Sequence, residues 1–190
     1  MTARRPVKAV VMGGSAGSVT SLLVILKALP ANYRPAILLT VHVPPGAKRS
    51  VLVDILQTQC QVEVTEAEDK APVRGGTVYV APSDYHLLVE KSGSLALSAD
   101  DPVWFSRPSI DVLFESAADA YGVELAGVVL SGANHDGAHG LSLIEQAGGI
   151  IVVEDPAHAY APVMPAAALE ACPGAWVGSS GQIASYLKHL

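Results

Sequence analysis

Apolar positions in this chain fall in short blocks punctuated by glycine and proline. Val7 to Met12 is one such block, ending in Gly13-Gly14. A continuous apolar run of this length between turn residues predicts a fully buried strand. Val19 to Leu29 carries apolar residues at helical spacing until Pro30 stops it. Ala36 to Val43, framed by Pro35 and Pro44-Pro45, predicts a second buried strand. From Ser50 to Thr58, Val51, Leu52, Ile55 and Leu56 fall on one helical face. This β-α-β-α order predicts a parallel sheet with helices on its faces.

The middle of the chain changes rhythm. Val62 to Val64, Thr77 to Val80, His86 to Glu90 and Leu95 to Leu97 are short and separated by Gly, Pro, Ser and Asp, which predicts short strands, some in hairpins. Pro108 to Ala120 then reads as a helix, with proline early and Asp111 in its first turn. Leu125 to Leu130 and Gly149 to Val153 predict buried strands, with a helix from Gly140 to Ala147 between them. A short helix from Pro165 to Glu170 follows, and the segments Ala175 to Gly178 and Gln182 to Leu187 finish the pattern. No repeat, low-complexity tract or long linker divides the chain, so residues 1–190 are expected to form one domain.

Composition narrows the class. Half of the 190 residues are hydrophobic and 16% are charged, enough apolar material for a core and too little charge for disorder. A formal charge of −6, with Lys and Arg scattered, argues against a general nucleic-acid role. Cys60 and Cys172 are far apart, which indicates neither a disulfide framework nor a cysteine zinc site. No stretch of about 18 apolar residues occurs, so no membrane insertion is expected and a cytoplasmic location is the default.

The chemistry concentrates at strand ends. Gly13-Gly14-Ser15-Ala16-Gly17 fits G-x-S-x-G, with a strand before it and a helix after it. A sharp turn there lifts the Ser15 hydroxyl above the sheet edge, and the Ala16 N–H at the positive helix end is a natural oxyanion donor. The same turn also serves as a plain strand-to-helix joint. It is neither a dinucleotide turn, since Ser15 and Ser18 replace two required glycines, nor a P-loop.

A serine nucleophile needs a base. His42 lies at the end of the second strand, and in open α/β sheets ligands bind at the carboxyl ends of strands. Asp136, in Ser131-Gly-Ala-Asn-His-Asp-Gly137, follows the strand Leu125 to Leu130 and is placed to orient an imidazole. Two plainer roles stand beside these: His42 capping its strand, and Asp136 capping the helix that follows. The order Ser…His…Asp differs from the Ser…Asp/Glu…His of the ordinary α/β-hydrolases. His135 and His139, at i and i+4 with Asp136 between them, also come close to a zinc helix, although Gly137 weakens it and no third ligand is evident.

Taken together, these segments resemble the catalytic domain of the chemotaxis protein-glutamate methylesterases, the CheB family, from about Lys8 to Tyr186. The likeness is carried by Val11-Met-Gly-Gly-Ser-Ala-Gly17, Thr40-Val-His-Val-Pro-Pro-Gly46, Tyr79-Val-Ala-Pro-Ser-Asp84 with His86, Arg107-Pro-Ser-Ile-Asp-Val-Leu-Phe114, Leu130-Ser-Gly-Ala-Asn-His-Asp-Gly137 and Val163-Met-Pro165. It implies an α/β fold: a three-layer α/β/α sandwich with a mostly parallel sheet and a β-hairpin insertion. It implies catalytic Ser15, His42 and Asp136, with no cofactor or metal. The oxyanion would be held by the backbone N–H groups of Ala16 and Ala133. The implied reaction is hydrolysis of glutamyl methyl esters on the cytoplasmic helices of methylated chemoreceptors, releasing methanol, with glutamine deamidation as a related activity. Arg107 is a candidate for guiding an acidic receptor helix, or a surface charge ahead of a helix.

The chain departs from the family pattern in places. Ala16 stands where Thr is common and Ser18 where Gly is usual, and Gly132-Ala-Asn-His-Asp-Gly137 replaces Gly-Met-Gly-Asn-Asp-Gly. Family members usually carry an N-terminal receiver domain, whereas six residues precede the first core strand here. A zinc hydrolase built on His135 and His139, or a silent binding module on the same fold, are the alternatives in other classes.

Overall fold

The computed structural model describes residues 5–42 and 49–190. Its centre is a seven-stranded sheet of order β3-β4-β2-β1-β7-β8-β9, with every neighbouring pair parallel. The strands are β1 (Ala9–Gly14), β2 (Ala36–Val41), β3 (Glu63–Glu66), β4 (Thr77–Val80), β7 (Leu125–Val129), β8 (Ile150–Glu154) and β9 (Trp176–Gly178). The helices are α1 (Ser18–Lys27), α2 (Arg49–Gln59), α3 (Ile110–Tyr121), α4 (Ala138–Gln146), α5 (Val163–Ala171) and α6 (Ser180–Leu187). β5 (His86–Val89) and β6 (Leu95–Ser98) form a separate antiparallel hairpin.

β1 shows why the sheet is central. All six of its residues are buried, as expected for a parallel strand covered on both faces. Val10 and Met12 point to one layer, where they meet Leu22, Ile25 and Leu26 of α1 and Ile183 and Leu187 of α6. Ala9 and Val11 point the other way, toward Ile110 and Phe114 of α3, Leu141 of α4 and Met164 of α5. The hairpin adds Leu87 and Leu95 to this second layer. Each fully buried Leu, Ile or Phe contributes roughly 1.5–3 kcal/mol, so the two layers together hold the sheet between them.

Two expectations need correction. On α2, Leu52 and Leu56 are buried but Val51 and Ile55 are exposed, so the inward face is narrower than the spacing suggested. α4 starts at Ala138, ahead of the expected Gly140, because its first turn is capped from another helix. Of the short middle strands, β5 and β6 make an expected hairpin, while β3 and β4 pair in parallel within the main sheet. Val43 at the predicted end of the second strand and the Val43–Gly46 part of the Thr40–Gly46 motif lie outside the described residues. Among the described residues no helix is long and apolar enough to cross a membrane.

Candidate active site

The chain runs outward from β1 to β2 and the edge strand β3, comes back to β4 between β3 and β2, then crosses to β7 on the other side of β1. That reversal makes the carboxyl end of β1 a switch point, where adjacent connections diverge and leave a crevice. Ser15 directly follows β1 and His42 directly follows β2. Gly14 stands opposite Val41 in register, and the His42 N–H donates to the Gly14 carbonyl at 3.0 Å. Two neighbouring strands therefore deliver the two residues side by side. Asp136 arrives from the loop after β7.

The turn at Ser15 is closely tied. Its N–H donates to the Ser131 carbonyl at 2.8 Å, and its own carbonyl accepts both the N–H and the hydroxyl of Ser18. The unusual Ser18 thus closes the turn. Gly17 has φ +79, a left-handed conformation that favours glycine, and a Cβ there would collide with the Tyr160 side chain. Ser131 spans the turn: its hydroxyl donates to the Ala16 carbonyl at 2.6 Å and accepts from the Ala161 N–H at 2.9 Å. The Ser131 N–H in turn donates to the buried carboxylate of Glu154 at 2.8 Å, which also takes the Ser21 hydroxyl at 2.6 Å.

His42 and Asp136 are paired, Nε2 to Oδ2, at 2.8 Å. Asp136 is fully buried and His42 nearly so. A buried carboxylate must be satisfied by hydrogen bonds. Here Oδ2 also accepts the Ile110 N–H at 2.7 Å, while Oδ1 accepts the Ser109 hydroxyl at 2.8 Å and the Asp111 N–H at 2.9 Å. Asp136 therefore sits at the N-terminus of α3, where the helix dipole favours an anion. It does not cap its own helix, and His42 does not merely cap a strand. Because a carboxylate only accepts, Nε2 carries the proton and Nδ1 is the basic nitrogen left over. Among the described residues, no hydrogen bond joins Nδ1 to the Ser15 hydroxyl. Such contacts are often long in empty sites and tighten around substrate.

Two candidate oxyanion donors remain free. Among the described residues neither the Ala16 nor the Ala133 N–H has an acceptor, and both residues are exposed. The preceding Gly132 N–H is occupied by the Ala161 carbonyl at 3.0 Å, so Ala133 offers the first open donor after Ser131.

Several residues that support this geometry were not singled out as candidates from sequence. Asp111 repays the cap: its Oδ1 accepts the Gly137 and Gly140 N–H groups at the start of α4, at 2.9 and 2.7 Å. α3 and α4 thus cap each other through Asp136 and Asp111. Burial pushes the Asp111 carboxyl up, nearby Asp136 adds to the rise, and its hydrogen bonds oppose it. Buried His86 accepts the Ser109 N–H at Nδ1, 3.1 Å, and Nε2 contacts the Asp101 carbonyl, which fixes one tautomer behind the Ser109–Asp136 bond. Glu154 carried a legible signal, since a charged residue ends the otherwise apolar strand Ile150 to Val153 at the carboxyl edge. Asp111 looked like an ordinary first-turn acid.

Arg107 lies just ahead of α3, with Nη1 donating to the Ala99 and Asp100 carbonyls at 2.8 and 3.1 Å. His135 and His139 are exposed, and the His135 ring leans on Trp104 with centroids 5.8 Å apart. Among the described residues no three His, Cys, Asp or Glu side chains are grouped to hold a metal.

Comparisons with known proteins bear on the family and the fold. The family model for CheB methylesterase matches residues 10–187. A Leptospira interrogans protein, provisionally named protein-glutamate methylesterase/protein-glutamine glutaminase, is 43% identical over 184 residues, covering 96% of this chain and 94% of its own length. The protein-glutamate methylesterase/protein-glutamine glutaminase of Symbiobacterium thermophilum is 38% identical over 167 residues, covering 88% of this chain and 46% of that protein. The crystal structure of the Thermotoga maritima CheB methylesterase catalytic domain superposes with a TM-score of 0.91 at 31% identity, over 97% of this chain and 99% of that one.

Proposed function

The chain belongs to the CheB methylesterase family, and from that membership we propose that it hydrolyses glutamyl methyl esters on the cytoplasmic helices of methylated chemoreceptors. Ser15 Oγ attacks the ester carbonyl while His42 Nδ1 takes its proton. Asp136 holds the ring by Nε2 and stabilises the imidazolium. The N–H groups of Ala16 and Ala133 receive the developing oxyanion, and donors of this kind are each worth about 10²–10³ in kcat. His42 returns the proton to the departing methoxide, so methanol leaves. Water activated by His42 then cleaves the acyl-enzyme to the free glutamate. A glutamine side chain follows the same route with ammonia as the leaving group. Arg107 supplies a positive charge ahead of α3 toward an acidic receptor helix.

The observation that carries this reading is the 2.8 Å His42–Asp136 pair, locked to the α3 N-terminus beside the Ser15 turn. The test is Ser15→Ala with methanol release from methylated receptor as the readout. Losing the nucleophile of such a triad costs about 10⁶-fold in kcat. A variant that kept wild-type turnover would overturn the assignment.

A further inference from the structure

Residues Val103 and Ser106 pair antiparallel, each donating its N–H to the other's carbonyl, at 3.1 and 2.9 Å. Trp104 and Phe105 form the two-residue tip between them, with φ of +51 and +59. Two consecutive positive φ values are the pattern of a type I′ hairpin turn, which favours Asn-Gly because bulky side chains are strained there. The tip therefore carries two large aromatics where the backbone tolerates them least. Trp104 is anchored: its indole N–H donates to Asp111 Oδ2 at 3.1 Å and its ring leans on His135. Phe105 is 101% exposed, so its ring contributes nothing to the core.

A strained backbone that presents an unpacked aromatic has no rationale in stability, and strain of this kind collects at functional sites. The turn lies next to the candidate active site. Two hydrogen bonds lead from Trp104 through Asp111 to Asp136, and His135, under the indole, is the chain neighbour of Asp136. Trp104 also walls a cleft of about 620 Å³ with His135, His139, Ser142, Ala167 and Glu170. The cleft also takes in Asp111, whose N–H binds Asp136, so it adjoins the site on the α3–α4 side.

We propose that the Trp104–Phe105 turn is a docking element for the protein substrate, with Phe105 inserting among side chains of the methylated receptor helix. This rests on the receptor reading of the active site. Trp104 and Asp111 hold the turn rigid, so little ordering cost falls on docking. Phe105 then acts as an aromatic anchor, the class of residue that dominates interface energetics.

The test is Phe105→Asn, a substitution that suits the left-handed backbone. Three measurements are compared with wild type: methanol release from a methylated receptor cytoplasmic fragment, hydrolysis of p-nitrophenyl acetate, and melting temperature. The expected result is a loss of about 10–100-fold in kcat/KM on the receptor fragment, mainly through KM. Small-ester hydrolysis stays at the wild-type rate and the melting temperature holds or rises. Phe105→Tyr restores receptor turnover. Unchanged receptor kinetics in Phe105→Asn would overturn the proposal, and so would a parallel loss of small-ester activity or a lower melting temperature. Failure of the receptor reading has a different signature: wild type hydrolyses the small ester through Ser15 but releases no methanol from receptor. In that event the receptor-fragment Kd of wild type and Phe105→Asn decides the docking role, and equal or absent binding overturns it.

Discussion

Replacing Asp136 with asparagine removes one charge and keeps the side-chain shape, so it separates the two roles that this residue combines. The carboxylate accepts from His42 and Ile110 on Oδ2, and from Ser109 and Asp111 on Oδ1. An amide has one accepting end. With its NH₂ at the Oδ1 position it faces the Asp111 N–H, and at the Oδ2 position it faces the Ile110 N–H. Either orientation leaves one buried backbone donor of α3 unpaired. Such a donor costs about 1–3 kcal/mol, and losing the anion at a helix N-terminus adds roughly 0.3–2 kcal/mol. The sum is about 1.3–5 kcal/mol, which lowers the melting temperature of a chain this size by roughly 3–20 °C. Activity falls further, because loss of the orienting carboxylate costs about 10⁴-fold in kcat. Differential scanning fluorimetry and a small-ester assay read the two effects on one preparation. Ser15→Ala is the control, expected to lose activity while melting with the wild type, since its hydroxyl bonds to nothing among the described residues. Asp136→Asn melting with the wild type would refute the three-bond cap on α3. Wild-type activity would refute the pairing with His42 as the catalytic one.

Other consequences follow from the same geometry. Ser131→Ala frees the Ala16 carbonyl and leaves the Ala161 N–H unpaired, so kcat should drop by about 10–100-fold with KM nearly constant as the Ala16 donor loses its alignment. Steady-state kinetics check this, and a rise confined to KM would contradict it. Gly13→Ala places a Cβ against the Ile110 side chain, whose backbone N–H binds Asp136. Overpacking there should cost about 1–3 kcal/mol, measured by urea unfolding, and should lower activity more than a surface substitution of equal cost. Cys172 is buried, and burial first, with Glu145 nearby, pushes its thiol up to about 11. Thiolate is the reactive form, so mass spectrometry after iodoacetamide at neutral pH should find Cys172 unmodified until the protein is unfolded.

The sequence by itself determined the layers and the ends of the strands. β1 reads as buried because every residue from Ala9 to Met12 is apolar, and parallel strands covered on both faces demand that composition. The same runs place Ser15 and His42 just past strand ends, and those ends are where an α/β sheet gathers its chemistry. Periodicity was less able to say which apolar residues face inward, so Val51 and Ile55 looked buried and are exposed. It also said little about partners distant along the chain. The tertiary structure decided that Asp136 caps α3 rather than α4, and that Asp111 returns the cap to α4. It also placed Ser131 across the nucleophile turn and left Phe105 outside the core. Each of these is a hydrogen bond, or the lack of a packing partner, set by helix placement over 20 or more residues of separation. Local pattern encodes burial through the hydrophobic effect, which has no direction. A hydrogen bond depends on distance and angle, so only the assembled sheet and helices could select among the possible partners.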